Sequence, residues 1–383
     1  MLMSASDKRI VEVSADSSLA SPTEALAQAL EAVLGKLGAA GAAPPHLVSM
    51  TWSGPDPAAI HPSNRAIDQE RRMVFAGFRP PLTIRRSGDA RIHVEARAAV
   101  PLSPPPSDPV YRNYGVMELG RQMSPRNQVP DMGALFRQWT TDGARARARH
   151  RGLDLSYGPK RDQTLDLYRP EGVSRPPVWV FIHGGYWQAS NKEQHAQFCD
   201  GMLQAGFAVA NIEYGLAPET PLEAIVGQIR EALHFLVREA GNLDLDAGDM
   251  HVAGHSAGGY LAAMCACDEG MPPVRSAHLL SGIFDLESLV PIPFGPILGL
   301  TSADIARRLS PCHLKPRHNA RIAVAVGAGE SDEFKRQSEE QARLWGAPKS
   351  LVVDGVHHFN LIDGLNGGVL LQQQLALSSP TPA

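Results

Sequence analysis

The sequence predicts an α/β domain, with a mostly parallel sheet covered by helices on both faces, preceded by a small α+β domain. From Thr164 onward, apolar strand-like runs alternate with helical runs, the pattern of parallel sheets buried on both faces. Residues 101–109 hold five prolines and support neither a helix nor a central strand. We therefore predict a first domain at 1–100, a proline-rich linker at 101–109 and a second, α/β domain at 110–383.

The first domain shows one helical and two strand-like segments. The helix is predicted from Ser21 to Gly38, with Ser21 as its N-cap and Pro22 at its first position. The strands are predicted at Leu47 to Trp52 and at Ile92 to Val100.

The second domain opens with a polar helix, predicted from about Asp131 to Arg149. Its arginine series resembles a phosphate or nucleic-acid site, but the acidic net charge favours a solvated helix face; the series is Arg145, Arg147, Arg149 and Arg151. Strands are predicted at 178–182, 207–212, 250–253, 277–280, 321–326 and 350–353. Helices are predicted at 192–204, 222–239, 257–267 and 333–344.

Composition and charge narrow the class of partner. A net charge of −4 gives no basic field for nucleic acid, and 43% hydrophobic residues suffice for a large core. The N-terminus lacks an apolar signal segment, and no apolar run approaches the ~20 residues that span a bilayer. The four cysteines form no C-x-x-C pair and are expected to be reduced thiols. We expect a cytoplasmic protein that acts on a small molecule, with no nucleic-acid or membrane partner.

The segment Gly254-His255-Ser256-Ala257-Gly258 has the G-x-S-x-G pattern of a nucleophile elbow. It follows a predicted strand and opens a predicted helix, which is the context that this motif requires in the α/β-hydrolase fold. The turn is so sharp that side chains two residues before and after the serine would collide, so glycines are needed there. The motif predicts Ser256 as the nucleophile of a serine hydrolase.

A serine nucleophile needs a base and an acid, which follow in the chain order Ser, acid, His in this fold. His358, just after the last strand, is the predicted base, with His357 as the alternative. The loop after strand 321–326 offers three carboxylates, and Glu330 comes soonest after the strand. We predict Glu330 as the acid and expect Asp332 and Glu333 to cap the following helix.

The oxyanion hole is predicted from two loops. His183-Gly184-Gly185-Tyr186-Trp187 follows strand 178–182, and its glycines allow the backbone to approach a tetrahedral intermediate. Gly184, Gly185 and the N–H of Ala257 are the predicted donors. His183 has no ligand partner at metal spacing, so a structural role is expected and no metal is predicted. Tyr186 and Trp187 are expected to line the acyl or leaving-group pocket.

The catalytic domain resembles the arylformamidase (kynurenine formamidase) branch of the α/β-hydrolases. The resemblance covers roughly Tyr111 to Leu370 and rests on the elbow and on the strings F-I-H-G-G-Y-W-Q at 181–188, E-Y-G-L-A-P at 213–218 and E-S-D-E-F-K-R-Q-S at 330–338. It implies hydrolysis of N-formylkynurenine or related formamides, often with activity on small aryl esters, and no metal or cofactor. It also implies Glu330 as acid, although the family commonly has Asp there, and His358 as base. Tyr214, in the second string, is expected to contact substrate.

The segment from about Arg9 to Pro101 more faintly resembles the Rid (YjgF/UK114) family of trimeric imine deaminases. The resemblance rests on 30–41, Pro80-Pro81 and the strand 92–98. The family's arginine position is Thr83 here, its catalytic glutamate falls on His93, and its N-terminal glycine-rich strand is missing. We therefore expect a Rid-like fold without imine chemistry that forms a homo-oligomer.

Several functions remain open on the sequence alone. One triad serves amides and esters, so a broad carboxylesterase is the alternative to an aryl formamidase. A fusion of amidase and imine deaminase is disfavoured by Thr83 and His93. A non-catalytic scaffold is disfavoured because elbow, base, acid and oxyanion glycines are all present. The apolar segment Gly282 to Leu300 is expected to be either a lid over an aromatic substrate or a buried connection.

Overall fold

The computed structural model describes residues 8–19, 21–40, 42, 47–64, 67–68, 71, 74, 80–101, 108–129 and 132–378. The chain divides into two compact units. The first is drawn from residues 1–119 with short segments at 130–135 and 291–294, and the second holds the remainder. The predicted linker lies mostly outside the described residues, so its boundaries stay a prediction.

The first unit contains a four-stranded sheet and a helix. The strands are β1 (Lys8–Ser17), β2 (Leu47–Gly54), β3 (Leu82–Arg86) and β4 (Ile92–Pro101), in the order β1-β4-β2-β3. β4 pairs antiparallel with β1 and β2, whereas β2 and β3 are parallel. Helix α1 (Pro22–Ala39) contacts β1 and β4. The unit is α+β as predicted, but β1 and β3 were not predicted.

Helix α1 forms where its capping and apolar signals agree. The Ser21 side chain accepts the Glu24 N–H, and Pro22 occupies the first turn, where its missing N–H costs nothing. Leu26, Leu30 and Val33 recur at helical spacing and are fully buried. The predicted helix is confirmed to within a residue at its C-terminal end.

The second unit is built on an eight-stranded sheet in the order β12-β11-β10-β9-β7-β8-β6-β5. The strands are β5 (Leu153–Ser156), β6 (Thr164–Tyr168), β7 (Pro177–Ile182), β8 (Ala208–Ile212), β9 (Asp246–His255), β10 (Ser276–Leu280), β11 (Arg321–Gly327) and β12 (Leu351–Val353). β6 is antiparallel to β5 and β8, and every other pair is parallel. The α/β-hydrolase fold is confirmed.

The α-helices of the second part of the chain connect or flank these strands. They are α2 (Val116–Gln122), α3 (Met132–His150), α4 (Asp200–Gln204), α5 (Leu222–Glu239), α6 (Ala257–Cys267), α7 (Phe294–Ile297), α8 (Ala303–Leu309), α9 (Asp332–Leu344) and α10 (Gly368–Ser378). Short 3₁₀ turns cover Pro125–Gln128, Glu193–Cys199, Leu286–Leu289, Pro311–His313 and Leu361–Asn366. The predicted helix 192–204 is thus a 3₁₀ segment followed by α4.

The sheet topology determines where the site forms. The carboxyl ends of parallel strands meet at one edge, and there the chain leaves β7 for the glycine loop and β9 for the elbow. β11 and β12 lead at the same edge to Glu330 and His358. The buried strand residues, such as Val178–Ile182, fix these loop ends against a rigid core.

Three further expectations concern side chains and segments. The four cysteines are free thiols, Cys199, Cys265 and Cys267 being buried. In the segment 282–300, the side chains of Phe284 and Leu289 are buried. For these two side chains the structure favours a buried connection over a lid. No helix within the described part of the chain is long and apolar enough to cross a membrane.

Candidate active site

Ser256 lies between β9 and α6 in a strained conformation. Its φ of 58° and ψ of −119° are outside the regions that non-glycine residues usually adopt. A Cβ on Gly254 would lie 2.0 Å from the Gly258 carbonyl oxygen, and one on Gly258 would lie 2.0 Å from that of Ile182. The glycines are therefore required by the close approach that the elbow pattern predicts.

The Glu330 carboxylate contacts the His358 ring. Glu330 Oε2 lies 2.7 Å from His358 Nδ1, and both side chains are almost completely buried. The second carboxylate oxygen, Oε1, accepts the Gly327 N–H at 2.9 Å and the Ser281 hydroxyl. The pair is therefore an acid and an imidazole held together away from water.

The alternative residues lie elsewhere. Asp332 is 80% exposed and pairs with Lys335, while Glu333 is buried and forms an ion pair with Arg336. The cap of α9 is Ser331, whose hydroxyl accepts the Phe334 N–H, so the expectation that the two carboxylates cap the helix was wrong. They occupy its first turn, where negative charge complements the helix dipole.

His357 and His358 have different surroundings. His357 is partly exposed, its Nδ1 accepts the Phe359 N–H, and partial burial lowers its pKa. His358 is 1% exposed, and its backbone N–H donates to Gln128 Oε1 at 3.3 Å. The structure thus brings His358, and not His357, into hydrogen-bonding contact with Glu330.

His255 connects the elbow to the histidine loop. Its Nε2 donates to the His358 carbonyl oxygen at 2.8 Å, and the two ring centroids are 4.7 Å apart. Burial, and then the neighbouring His358, lowers the pKa of His255 far below its usual value, so this imidazole is neutral. His358 is therefore fixed beside the residue that precedes Ser256.

The predicted oxyanion glycines lie against the nucleophile. A Cβ on Gly184 would lie 3.0 Å from Ser256 Cβ and 2.9 Å from the His255 carbonyl oxygen. Gly185 has a φ of 104°, and its carbonyl oxygen accepts the N–H groups of Gln188 and Ala189. Ala257 is the first residue of α6, and such an N–H has no acceptor within its own helix. The arrangement suits donors aimed at an oxygen bound near Ser256.

Tyr186 and Trp187, the two aromatic residues predicted to line the substrate pocket, differ in solvent exposure. Tyr186 is partly exposed, and its hydroxyl donates to the Met123 carbonyl oxygen. Trp187 is fully buried, with a φ of 55°, and its ring meets Tyr260 edge-on at 5.2 Å. Of these two, only Tyr186 presents surface outside the core.

Tyr214 contacts the glycine loop, residues 183–187, through His183. It is fully buried, its ring stacks on His183 at 4.3 Å, and its hydroxyl donates to the His183 carbonyl oxygen at 2.8 Å. His183 Nδ1 contacts the Gly184 carbonyl oxygen at 2.8 Å. This position favours a supporting role for Tyr214 over the expected contact with substrate.

Two further residues at the site, Ser281 and Gln128, were not predicted from the sequence. Ser281 follows β10 with a φ of 48° and donates to Glu330, while Gln128 accepts from the His358 backbone. Neither stands in a recognisable motif, since a single serine or glutamine in a loop is common. Only the fold brings them to the site.

One group of potential metal ligands occurs among the described residues. The ligand atoms of Asp285, Cys312 and His313 lie within 4.8 Å of one another. Burial raises the pKa of Cys312 to about 12, so its thiol stays protonated at neutral pH, and His313 Nε2 lies 3.2 Å from Glu287. His313 and Asp285 thus both contact Glu287, which is not a member of this group.

The arginine series of α3 is only partly a solvated face. Arg145 is 72% exposed, but Arg147 pairs with the buried Asp166 at 2.8 Å and Arg149 pairs with Asp200. These pairs attach the helix to the sheet and to α4.

The two Rid-related positions lie on the sheet of the first unit. Thr83 is exposed on β3, while its neighbours Leu82 and Ile84 line a cavity with His61. Adjacent strand residues point to opposite faces, so Thr83 points away from that cavity. His93, on β4, contacts Asp16 and Glu95. The Rid resemblance stays a prediction.

Comparison with known proteins shows several relatives. A family model described as BD-FAE matches residues 165–277. A kynurenine formamidase of Salmo salar is 30% identical and covers 68% of this chain and 95% of its own, and one of Danio rerio is 28% identical over 56% and 76%. Among solved structures, a candidate thioesterase from Silicibacter is 31% identical, with a TM-score of 0.57, covering 61% of this chain and 90% of that one. An esterase of Pyrobaculum calidifontis, at 23% identity and a TM-score of 0.51, shares the fold.

The fold, the elbow and these relatives define a serine hydrolase of the α/β-hydrolase class. Within that class the relationship to the salmon protein extends over nearly its whole length. The chain belongs to the kynurenine formamidase family.

Proposed function

We propose that this protein hydrolyses a small aryl formamide of the N-formylkynurenine type through an acyl-enzyme on Ser256. The observation that carries the proposal is the buried hydrogen bond between Glu330 and His358, next to a strained elbow. A carboxylate on Nδ1 holds the imidazole in the tautomer whose Nε2 accepts a proton. The family supports the formamide as substrate, because relatives of this chain are named kynurenine formamidases.

The proposed reaction has two steps. Ser256 Oγ attacks the formyl carbon while its proton passes to His358 Nε2, and the carbonyl oxygen becomes an oxyanion. The C–N bond then breaks, the proton passes from His358 to the arylamine, and a formyl ester remains on Ser256. Water repeats the sequence with His358 as base, releasing formate and restoring the serine.

The oxyanion is proposed to bind at Gly184, Gly185 and Ala257. Preorganised N–H donors of this kind contribute about 2.7–4 kcal/mol each to the transition state. The approach of Gly184 to Ser256 supports this, because a side chain there would displace the serine.

A carboxylesterase is the second candidate. Relatives of this chain include a carboxylic ester hydrolase and a carboxylesterase of Mycobacterium tuberculosis, at 35% and 34% identity over about 30% of this chain. The same triad attacks esters, so the acyl pocket decides between them.

A substrate panel separates the two. The protein should turn over N-formylkynurenine and formanilide with a much larger kcat/KM than p-nitrophenyl hexanoate, because it belongs to the kynurenine formamidase family. Ser256→Ala, assayed alongside, corrects for background hydrolysis. A preference for hexanoate or longer esters would establish the carboxylesterase instead.

A further inference from the structure

Ser281 is a buried serine at the end of β10 that contacts the proposed acid. It is fully buried, and its hydroxyl donates to Glu330 Oε1. Its backbone N–H donates to the Ala325 carbonyl oxygen of β11 at 2.8 Å. The residue is therefore fixed to the strand that leads to Glu330.

The backbone at Ser281 has a conformation that glycine adopts more easily. Its φ of 48° is in the left-handed region, where a side chain costs free energy and glycine costs none. A serine here carries that cost and adds one hydroxyl group. The hydroxyl donates a hydrogen bond to Glu330, and this hydrogen bond offsets the cost of the left-handed backbone.

The end of β10 also contacts the nucleophile. The Ser256 N–H donates to the Leu280 carbonyl oxygen at 2.8 Å, one residue before Ser281. β10 lies between β9 and β11, so two consecutive residues contact the loops of the nucleophile and of the acid. Movement at this point would change the distance between them.

We propose that Ser281 is a positioning residue that holds the Glu330 carboxylate in the orientation needed to bind His358. The inference rests on the proposed function and adds a residue to it. A glutamate has one more rotatable bond than an aspartate, so its carboxylate needs more contacts to keep one orientation. With Gly327 N–H and Ser281 on Oε1, Oε2 is left for His358 Nδ1.

The test compares Ser281→Ala and Ser281→Gly in the full chain. Both remove the hydroxyl, and the glycine variant also relieves the left-handed strain, so it should be no less stable than wild type in thermal unfolding. We expect both to lower kcat and kcat/KM about tenfold with KM unchanged, because the lost contact acts in the transition state. Ser310→Ala is the matched control, since Ser310 is a buried serine whose hydroxyl bonds Leu286 N and Ala306 O. It should retain the wild-type kcat.

A double-mutant cycle distinguishes positioning from general packing. In a Glu330→Ala background the carboxylate is absent, so adding Ser281→Ala should cause no further loss. Equal losses in both backgrounds, or a Ser281→Ala kcat within twofold of wild type, would overturn the inference.

A second readout keeps the inference separate from the proposed function. The rate at which a fluorophosphonate probe labels Ser256 needs no knowledge of the substrate. If wild type labels at Ser256 but hydrolyses no formamide or ester of the panel, the proposed function fails. Slower labelling of Ser281→Ala would still support the positioning role, and an unchanged labelling rate would refute it.

Discussion

At the scale of single residues, Glu330 uses both carboxylate oxygens for different purposes. Oε1 is held by Gly327 and Ser281, and Oε2 faces His358. Asp332, two residues later, is mostly exposed and has only a surface ion pair, which contributes little in water. The surroundings of the two side chains therefore predict very different effects of neutralising each one.

The nucleophile provides the first prediction. Ser256→Ala should lower kcat on formamide and ester by roughly 10⁴-fold or more, because no other group forms the acyl-enzyme. Thermal unfolding should change little, since only one oxygen is removed. Activity above a few per cent of wild type would disprove the assignment.

The two carboxylates provide the second. Glu330→Gln should lower kcat by about 10³–10⁴-fold, because the imidazolium loses its charged partner, whereas Asp332→Asn should stay within a few-fold. Steady-state kinetics on formanilide measures both variants side by side. The reverse order of severity would make Asp332 the acid.

At the scale of elements, apolar periodicity predicts the buried strands and long helices well. The helices Leu222–Glu239 and Ala257–Cys267 have the predicted bounds, because each begins directly after a proline or a serine and ends within three residues of a glycine. β5 and β6 were missed, the former because its residues are mostly exposed and the latter because it contains Asp166. The charge of this buried carboxylate is compensated by ion pairs with Arg147 and Lys192. No local sequence pattern indicates these two partners.

The same limit applies to the site. The placement of Ser256, Glu330 and His358 after strands β9, β11 and β12 could be predicted because the fold imposes this order, and their catalytic roles stay a proposal. Ser281 and Tyr214 act on the backbone or side chain of another loop, at separations of 49 and 31 residues. Their contacts depend on tertiary structure, and the sequence holds no periodic signal for them.

The pair β1 and β4 provides a prediction on pH. His93 on β4 lies directly opposite Asp16 on β1. Glu95, two residues further along β4, is on the same face as His93 and contacts its ring, and Arg91 lies near Asp16. The hydrogen bond to Asp16, more than Glu95, raises the pKa of His93, so the charged form is favoured in the folded sheet. This stabilisation is complete below about pH 6.5, the unfolded value, and is lost as pH rises through the higher folded value.

Hydrogen exchange tests this. Protection factors of β1 and β4 amides, corrected for intrinsic rates, should be larger at pH 5.5 than at pH 8.5 in wild type. In His93→Gln, which stays neutral, that difference should shrink. An equal difference in both proteins would exclude His93 as its cause.

At the scale of the whole molecule, the first unit has its own core and carries none of the proposed catalytic residues. On the predicted Rid resemblance, Thr83 and His93 stand where that family has its arginine and its catalytic glutamate, and a threonine hydroxyl cannot pair bidentately with a carboxylate. We propose that this unit acts in assembly or substrate access. Neither Thr83 nor His93 belongs to the buried core of this unit, so its packing does not depend on these two side chains.

Removal of the predicted first domain and linker, residues 1–109, which form most of the first unit, tests the proposal. A fragment starting near Val110 should keep hydrolase activity yet form a smaller assembly than the full chain by light scattering. An unchanged oligomeric state would contradict the assembly role, and imine hydrolysis by residues 1–101 alone would contradict the absence of deaminase chemistry.

The position of His358 on the last strand loop also has a consequence during synthesis. His255 and His358 are 103 residues apart, so at about 5–20 residues per second a ribosome makes the elbow on the order of 5–20 s before the histidine. During that interval the nascent chain holds the proposed nucleophile without its base, and β11, once it has been made, still lacks its neighbour β12. A chain released early in this interval would carry an unactivated serine, so reactivity at Ser256 reports that translation has passed His358.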